Sequence, residues 1–142
     1  AIVDRTAPVI TAAVADQALY GPTELATFTL TYADTNGMLE TSPHPTATLA
    51  GESATVVVSD DLELTVSHTF ADTEDDDDIY IVATPQDLAG NVADATPFLV
   101  TSGAAKFDKT PPALVSATTD ETYYGPGETI TLTLVFSDAL AG

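Results

Sequence analysis

Between residues 25 and 33 apolar and hydroxyl side chains alternate: Ala26, Phe28, Leu30 and Tyr32 fall on one side, Thr27, Thr29 and Thr31 on the other. A period of two is that of a β-strand with one buried face, because successive side chains leave opposite sides of the pleat. Leu62, Leu64, Val66, His68 and Phe70 predict a second such strand, with His68 as a core or edge residue of its apolar face. Ile130, Leu132, Leu134 and Phe136 predict a third. Shorter apolar runs at 56–58, 79–83 and 98–100 are rich in β-branched residues. Turn-forming stretches separate them at 34–45, 51–53, 72–78 and 85–91, and no stretch carries a helical period with caps.

This pattern predicts strands at about 9–15, 25–33, 46–50, 54–59, 62–70, 79–84 and 92–101. Seven short strands in about 100 residues, with no helix, read as an all-β, seven-strand immunoglobulin-like β-sandwich. Residues 102–112 read as a linker, stiffened by Pro111 and Pro112.

Beyond the linker the chain repeats its own beginning. Residues 4–34 align with 108–138 at a constant offset of 104, and 13 of the 31 columns are identical. Tyr20-Gly21-Pro22 meets Tyr124-Gly125-Pro126, and Asp34 meets Asp138. Self-similarity of this length is the signature of tandem domains. The chain is therefore expected to hold a complete repeat over 1–107 and the first two strands of a truncated second copy over 108–142.

Charge narrows the function. Only 3 Lys or Arg face 22 Asp or Glu, a formal net charge of −19. Such a surface does not displace counterions from nucleic acid or approach an anionic membrane. No apolar run nears the roughly 18 residues of a membrane span, and no signal peptide is visible. With no cysteine, disulfides and thiolate metal sites are absent. The two histidines, His44 and His68, have no Ser or Cys partner in a nucleophilic motif, so catalysis has no foothold and the chain is not read as an enzyme.

In a sandwich whose strands run alternately up and down, the start of the chain and the connections after the second, fourth and sixth strands share one pole. The other connections and the end of the domain share the opposite pole. The first pole then collects Asp4, Asp34, Asn36, Asp60, Asp61, Asp87 and Asn91. The second collects Asp16, Glu24, Asp72, Glu74, Asp75 to Asp78 and Asp108, and in a tandem array it faces Asp138 of the next copy. Carboxylates so gathered repel one another unless cations bind them. Ca²⁺, which takes 6–8 oxygen ligands in irregular geometry, suits them better than Mg²⁺ or zinc. Candidate ligands are Asp4, Asp34, Asp87 and Asn91 at the first pole, and Asp72, Glu74, Asp108 and Asp138 at the junction. The plainer readings are turn chemistry for Asp4, Asp34, Asp87 and Asn91, since Asp and Asn bond nearby backbone N–H groups, and a solvated acidic turn for Asp75 to Asp78.

The Asp-x-Thr-x-Pro that opens each copy, the Tyr-Gly-Pro-Gly-Glu-Thr-Ile-Thr-Leu-Thr-Leu run at 124–134 and Asp87-Leu-Ala-Gly-Asn91 resemble the bacterial immunoglobulin-like repeats of large surface adhesins. The resemblance covers nearly all of the chain. The acid layout is also similar to that of cadherin repeats, with Asp72-Thr-Glu74 and Asp34-Thr-Asn36 at corresponding places, although the linker lacks the dense Asp/Asn motif and Asp138 precedes Ala139 and Leu140. The resemblance implies an extracellular or cell-surface location and an extender or stalk repeat of an adhesin. Its partners would be neighbouring repeats of the same chain, with Ca²⁺ ordering the poles and junction. Two other readings stay open: a carbohydrate-binding module of a modular secreted protein, weakened by the absence of Trp, and a filament subunit whose strands 113–138 complete another copy by strand addition.

Overall fold

Alternation in sequence becomes alternation in burial. The computed structural model describes residues 3–35, 37, 39–75, 77–99 and 105–137. It contains strands and turns, with no helix among the described residues, and divides into two units, Ala1–Lys109 and Thr110–Gly142.

The first unit carries β1 (Val9–Ala15), β2 (Leu19–Tyr20), β3 (Leu25–Ala33), β4 (Ala47–Leu49), β5 (Glu52–Asp60), β6 (Glu63–Thr69), β7 (Asp77–Asp78), β8 (Tyr80–Ala83), β9 (Phe98–Leu99) and β10 (Lys106–Phe107). Seven of these form one antiparallel sheet in the order β1-β3-β6-β5-β4-β8-β9. The expected sandwich divides its strands between two sheets; here the hydrogen bonding runs unbroken through all seven, and the sheet is nearly barrel-like. The link is the β4–β5 hairpin. Leu49 pairs with Glu52 across Ala50 and Gly51, whose φ values of 51° and 90° make a two-residue turn of the primed type that matches strand twist.

The core lies inside the curled sheet. Ala26, Phe28, Leu30 and Tyr32 of β3 are buried while their neighbours Leu25, Thr31 and Ala33 are exposed. Leu64 and Val66 of β6, Leu49 of β4 and Ile81 of β8 meet them. Each large apolar side chain removed from water in this way stabilises by about 1.5–3 kcal/mol. Phe70 and Phe107 stack with ring centroids 4.8 Å apart, and the His68 ring meets the Phe70 ring edge-on at 4.9 Å.

Phe107 marks a departure from the pattern expected of the sequence. The presumed linker 102–112 contains β10, which pairs with β2 on one side and β7 on the other, and it buries Ala105 and Phe107 in the first unit. Among the described residues 92–99 of the strand expected at 92–101, the named strand is β9, since Pro97 offers no N–H to a ladder and polar residues precede it. Part of the expected acidic turn, Asp77–Asp78, pairs as β7. Asn36, Met38, Asp76, Val100, residues 101–104 and Asp138 lie outside the described residues.

The second unit holds β11 (Leu114–Thr119) and β12 (Leu132–Phe136), paired antiparallel. Their register is that of β1 and β3 shifted by 104. Ile10 opposite Tyr32 becomes Leu114 opposite Phe136, and Ala15 opposite Phe28 becomes Thr119 opposite Leu132. The same local irregularity falls between Ile10 and Ala12 and between Leu114 and Ser116. The turn chemistry recurs as well. Tyr20 donates its hydroxyl to Asp16, and Gly21 N–H donates to Glu24; Tyr124 and Gly125 do the same to Asp120 and Glu128. Thr23 adopts a left-handed φ of 68°, and its counterpart Gly127 one of 88°, a conformation glycine holds without strain. Burial does not recur: Phe28 is 0% exposed and its counterpart Leu132 is 57% exposed.

Candidate metal centre

Three carboxylates from distant parts of the chain converge in the first unit. Asp4 precedes β1, Asp34 follows β3, and Asp87 lies between β8 and β9; one oxygen from each lies within 4.8 Å of the others. Backbone pairing sets this geometry. Leu39, in the connection after β3, forms a bridge with Asp87, and Glu40 N–H donates to the Gln86 carbonyl at 2.7 Å. The loop carrying Asp34 is thereby fixed against the loop carrying Asp87.

Asp87 is the anchor, 1% exposed and engaged in its own turn. Its Oδ1 accepts from Ala89 N–H at 2.8 Å and Asn91 N–H at 2.9 Å, and its Oδ2 accepts from Asn91 Nδ2 at 2.7 Å. Gly90, at φ 86°, closes the turn and donates its N–H to the Asp87 carbonyl. Burial alone would push the Asp87 carboxyl up. Hydrogen bonds from the Asn91 side chain and from the backbone of Asn91, Ala89 and Gly90 outweigh it and hold the group below its ordinary value of 3.8. A carboxylate offers about four lone-pair sites. Three are used here, which leaves room for one further partner.

Asp4 is half-buried and accepts from Thr6 N–H at 3.0 Å. Asp34, also half-buried, packs against Gly37, where a Cβ would come within 2.7 Å of its carboxylate. Gly37 is a site residue that sequence reasoning missed. Its signal was the turn-rich stretch after the second strand, in which nothing separated a packing glycine from a turn glycine.

Like charges at this spacing repel by about 1 kcal/mol per pair in water and about 3.5 kcal/mol at an effective dielectric near 20. Arg5, although next to Asp4 in sequence, forms no ion pair among the described residues. Comparison with family models, curated proteins and solved structures finds no match to the chain. The chemistry of the site rests on its own residues, an all-oxygen donor set of three carboxylates that a hard divalent cation fits.

The acids of the other pole stand differently. Glu74 lies 3.1 Å from His68 Nε2 and accepts from Ala71 N–H at 3.2 Å. His68 Nδ1 lies 3.0 Å from the Ser53 carbonyl. Both partners of the ring are acceptors, so the two bonds are satisfied together only when it carries both protons. Lys106 pairs with Asp78 at 2.9 Å; Lys109 donates to the Glu74 carbonyl and lies 3.9 Å from Asp75. Asp72 is exposed at the turn, and Asp108 donates its N–H to the Tyr20 carbonyl. Among the described residues, no metal-sized cluster includes Asp72, Glu74 or Asp108, and Asp138 lies outside them. Asn91 joins the first cluster through Asp87.

Proposed function

We propose that the chain is a stalk segment of a secreted or cell-surface adhesin, built of tandem immunoglobulin-like repeats, in which Ca²⁺ binds Asp4, Asp34 and Asp87. The observation that carries this reading is the convergence of those three carboxylates, two of which recur 104 residues further along the sequence as Asp108 and Asp138. A repeated ligand set belongs with a repeated domain.

Two features of the fold support it. The strand order β1-β3-β6-β5 followed by β4-β8-β9 places the seven strands as an immunoglobulin-like domain places its two sheets. The second hairpin reuses the register and turn bonds of the first, as the opening of a further copy would. Bound Ca²⁺ would neutralise the cluster, and Asp4, just ahead of β1, would fasten the start of the domain to the loops after β3 and β8. A rod resists bending when the ends of its repeats are held in this way.

Calorimetric melting with Ca²⁺ and with EDTA, each at low and high NaCl, is the test. A rise specific to Ca²⁺ that survives high salt supports a bound ion. Equal melting temperatures in Ca²⁺ and EDTA remove the metal from the proposal. Assembly by strand addition is favoured by a separate observation, the exposure of Ile130, Leu132 and Leu134 in the second unit. Sedimentation over a range of concentrations distinguishes it, since a stalk segment remains monomeric.

A further inference from the structure

The two outer strands of the seven-stranded sheet, β1 and β9, line a cavity of about 330 Å³. Its walls are apolar, with Ile10, Ile81, Ala83, Ala93 and Phe98 among them. Two features break this surface. Among the described residues of the lining Asp94 is the charged one and is itself exposed, so it stands where the cavity meets solvent. Tyr32 is the other: only 4% of it is exposed, and its hydroxyl has no hydrogen-bond partner among the described residues. Desolvation pushes the Tyr32 phenol well above its ordinary value of 10.0, which keeps it protonated and a donor.

We propose that this cavity binds a small, neutral, largely apolar molecule with one hydrogen-bond acceptor, which receives the Tyr32 hydroxyl proton. Size, walls and charge each restrict the ligand. Small-molecule sites span about 300–1,000 Å³, and this one falls at the lower end, the scale of a single substituted ring. A sugar would leave most of its hydroxyls against apolar walls without partners, at a cost that outweighs one hydrogen bond. Anions are opposed locally by Asp94 and at long range by the net charge of −19. An acceptor is favoured because a ligand that displaces water from the Tyr32 hydroxyl without offering one leaves that donor unpaired. None of the three clustered carboxylates is among the described residues that line the cavity, so the site stands whether or not that cluster binds metal.

The experiment is an NMR titration of the isotope-labelled whole chain with acetophenone, with ethylbenzene and with benzoate. The three share a ring and differ in offering a neutral acceptor, none, or an anionic one. The expected result is saturable shifts at Ile10, Ile81, Ala83 and Ala93, with acetophenone about threefold to tenfold tighter than ethylbenzene and benzoate weakest. Tyr32→Phe, folded by its amide spectrum, makes acetophenone and ethylbenzene equal; Ala93→Leu fills the cavity and removes both. Absence of saturable shifts, or shifts centred elsewhere, overturns the site. Equal binding of acetophenone and ethylbenzene by the native chain overturns the role of Tyr32, and tight binding of benzoate overturns the charge argument. These native-chain comparisons decide the matter even if a variant fails to fold.

Discussion

The first unit has two acid-rich regions, and they deal with their charge in opposite ways. Around Asp72 to Asp78 the chain brings its own basic side chains: Lys106 pairs with Asp78, Lys109 lies 3.9 Å from Asp75, and His68 meets Glu74. At Asp4, Asp34 and Asp87 one oxygen from each lies within 4.8 Å of the others, and Asp87 is held by hydrogen bonds from Ala89 and Asn91 of its own turn. Proximity in sequence is a poor guide to which acids end up clustered. Consecutive acids on a turn spread into solvent or pair with lysine, whereas single acids brought together by loop pairing stay close because the backbone holds them there. The contrast between a run met by lysines and a cluster set among hydrogen-bonded turns can be broken or sharpened by measurement.

The largest expected effect is that of Ca²⁺ itself. Free Ca²⁺ at one hundred times its Kd adds about 2.7 kcal/mol to stability. Asp4→Asn, which keeps the acceptor for Thr6 N–H and removes a ligand charge, should abolish most of that gain. Asp72→Asn and Asp75→Asn should leave it intact, and an equal loss in all three variants, read by calorimetry, would erase the contrast. Next comes Asp87→Ala. It strips three donors of their acceptor at a buried position, and the melting temperature in EDTA should fall by about 10 °C.

Gly37→Ala should act more narrowly. A Cβ at 2.7 Å displaces the Asp34 carboxylate, so Ca²⁺ affinity measured by isothermal titration falls about tenfold while the fold persists; unchanged affinity would show that Asp34 is not a ligand. In acid, the Asp87 contribution is fully present above pH 3.8 and fades as pH drops through its lower folded value. Asp87→Asn should therefore flatten the stability profile below about pH 4 and leave its shape near neutrality unchanged. Smallest is Lys106→Ala. Its pair with Asp78 is more than half exposed, and exposed pairs are worth about 0–1 kcal/mol, so chemical denaturation should shift by about 0.5 kcal/mol or less.

Much of this molecule is legible in local pattern. The alternation at 25–33 fixes both the strand and its buried face, because the side-chain period of a strand equals the spacing of Ala26, Phe28, Leu30 and Tyr32. The 104-residue repeat carries more: the equivalence of Tyr20 and Tyr124, and of Asp16 and Asp120, fixes the same short-range bonds in both units. Asp4, Asp34, Asp87 and Asn91 could be assigned to one pole because strands alternate in direction. Phe107 was hidden, since one aromatic flanked by Lys106 and Asp108 has no period to read. Gly37 was hidden too, because its importance lies in a contact with Asp34 rather than in a backbone angle.

Local pattern thus settles which residues form strands, which face of each is apolar and which turns recur. That information is short-range, written in side-chain alternation and turn chemistry. Only tertiary structure decides that the sheet continues through the Ala50-Gly51 hairpin, that Lys106 reaches Asp78 and Lys109 approaches Asp75, and that Phe28 is buried while Leu132 is exposed. Those outcomes depend on which distant segment arrives alongside. The hairpin of the second unit shows the limit most plainly, for it repeats the register of the first while its apolar side chains stay exposed.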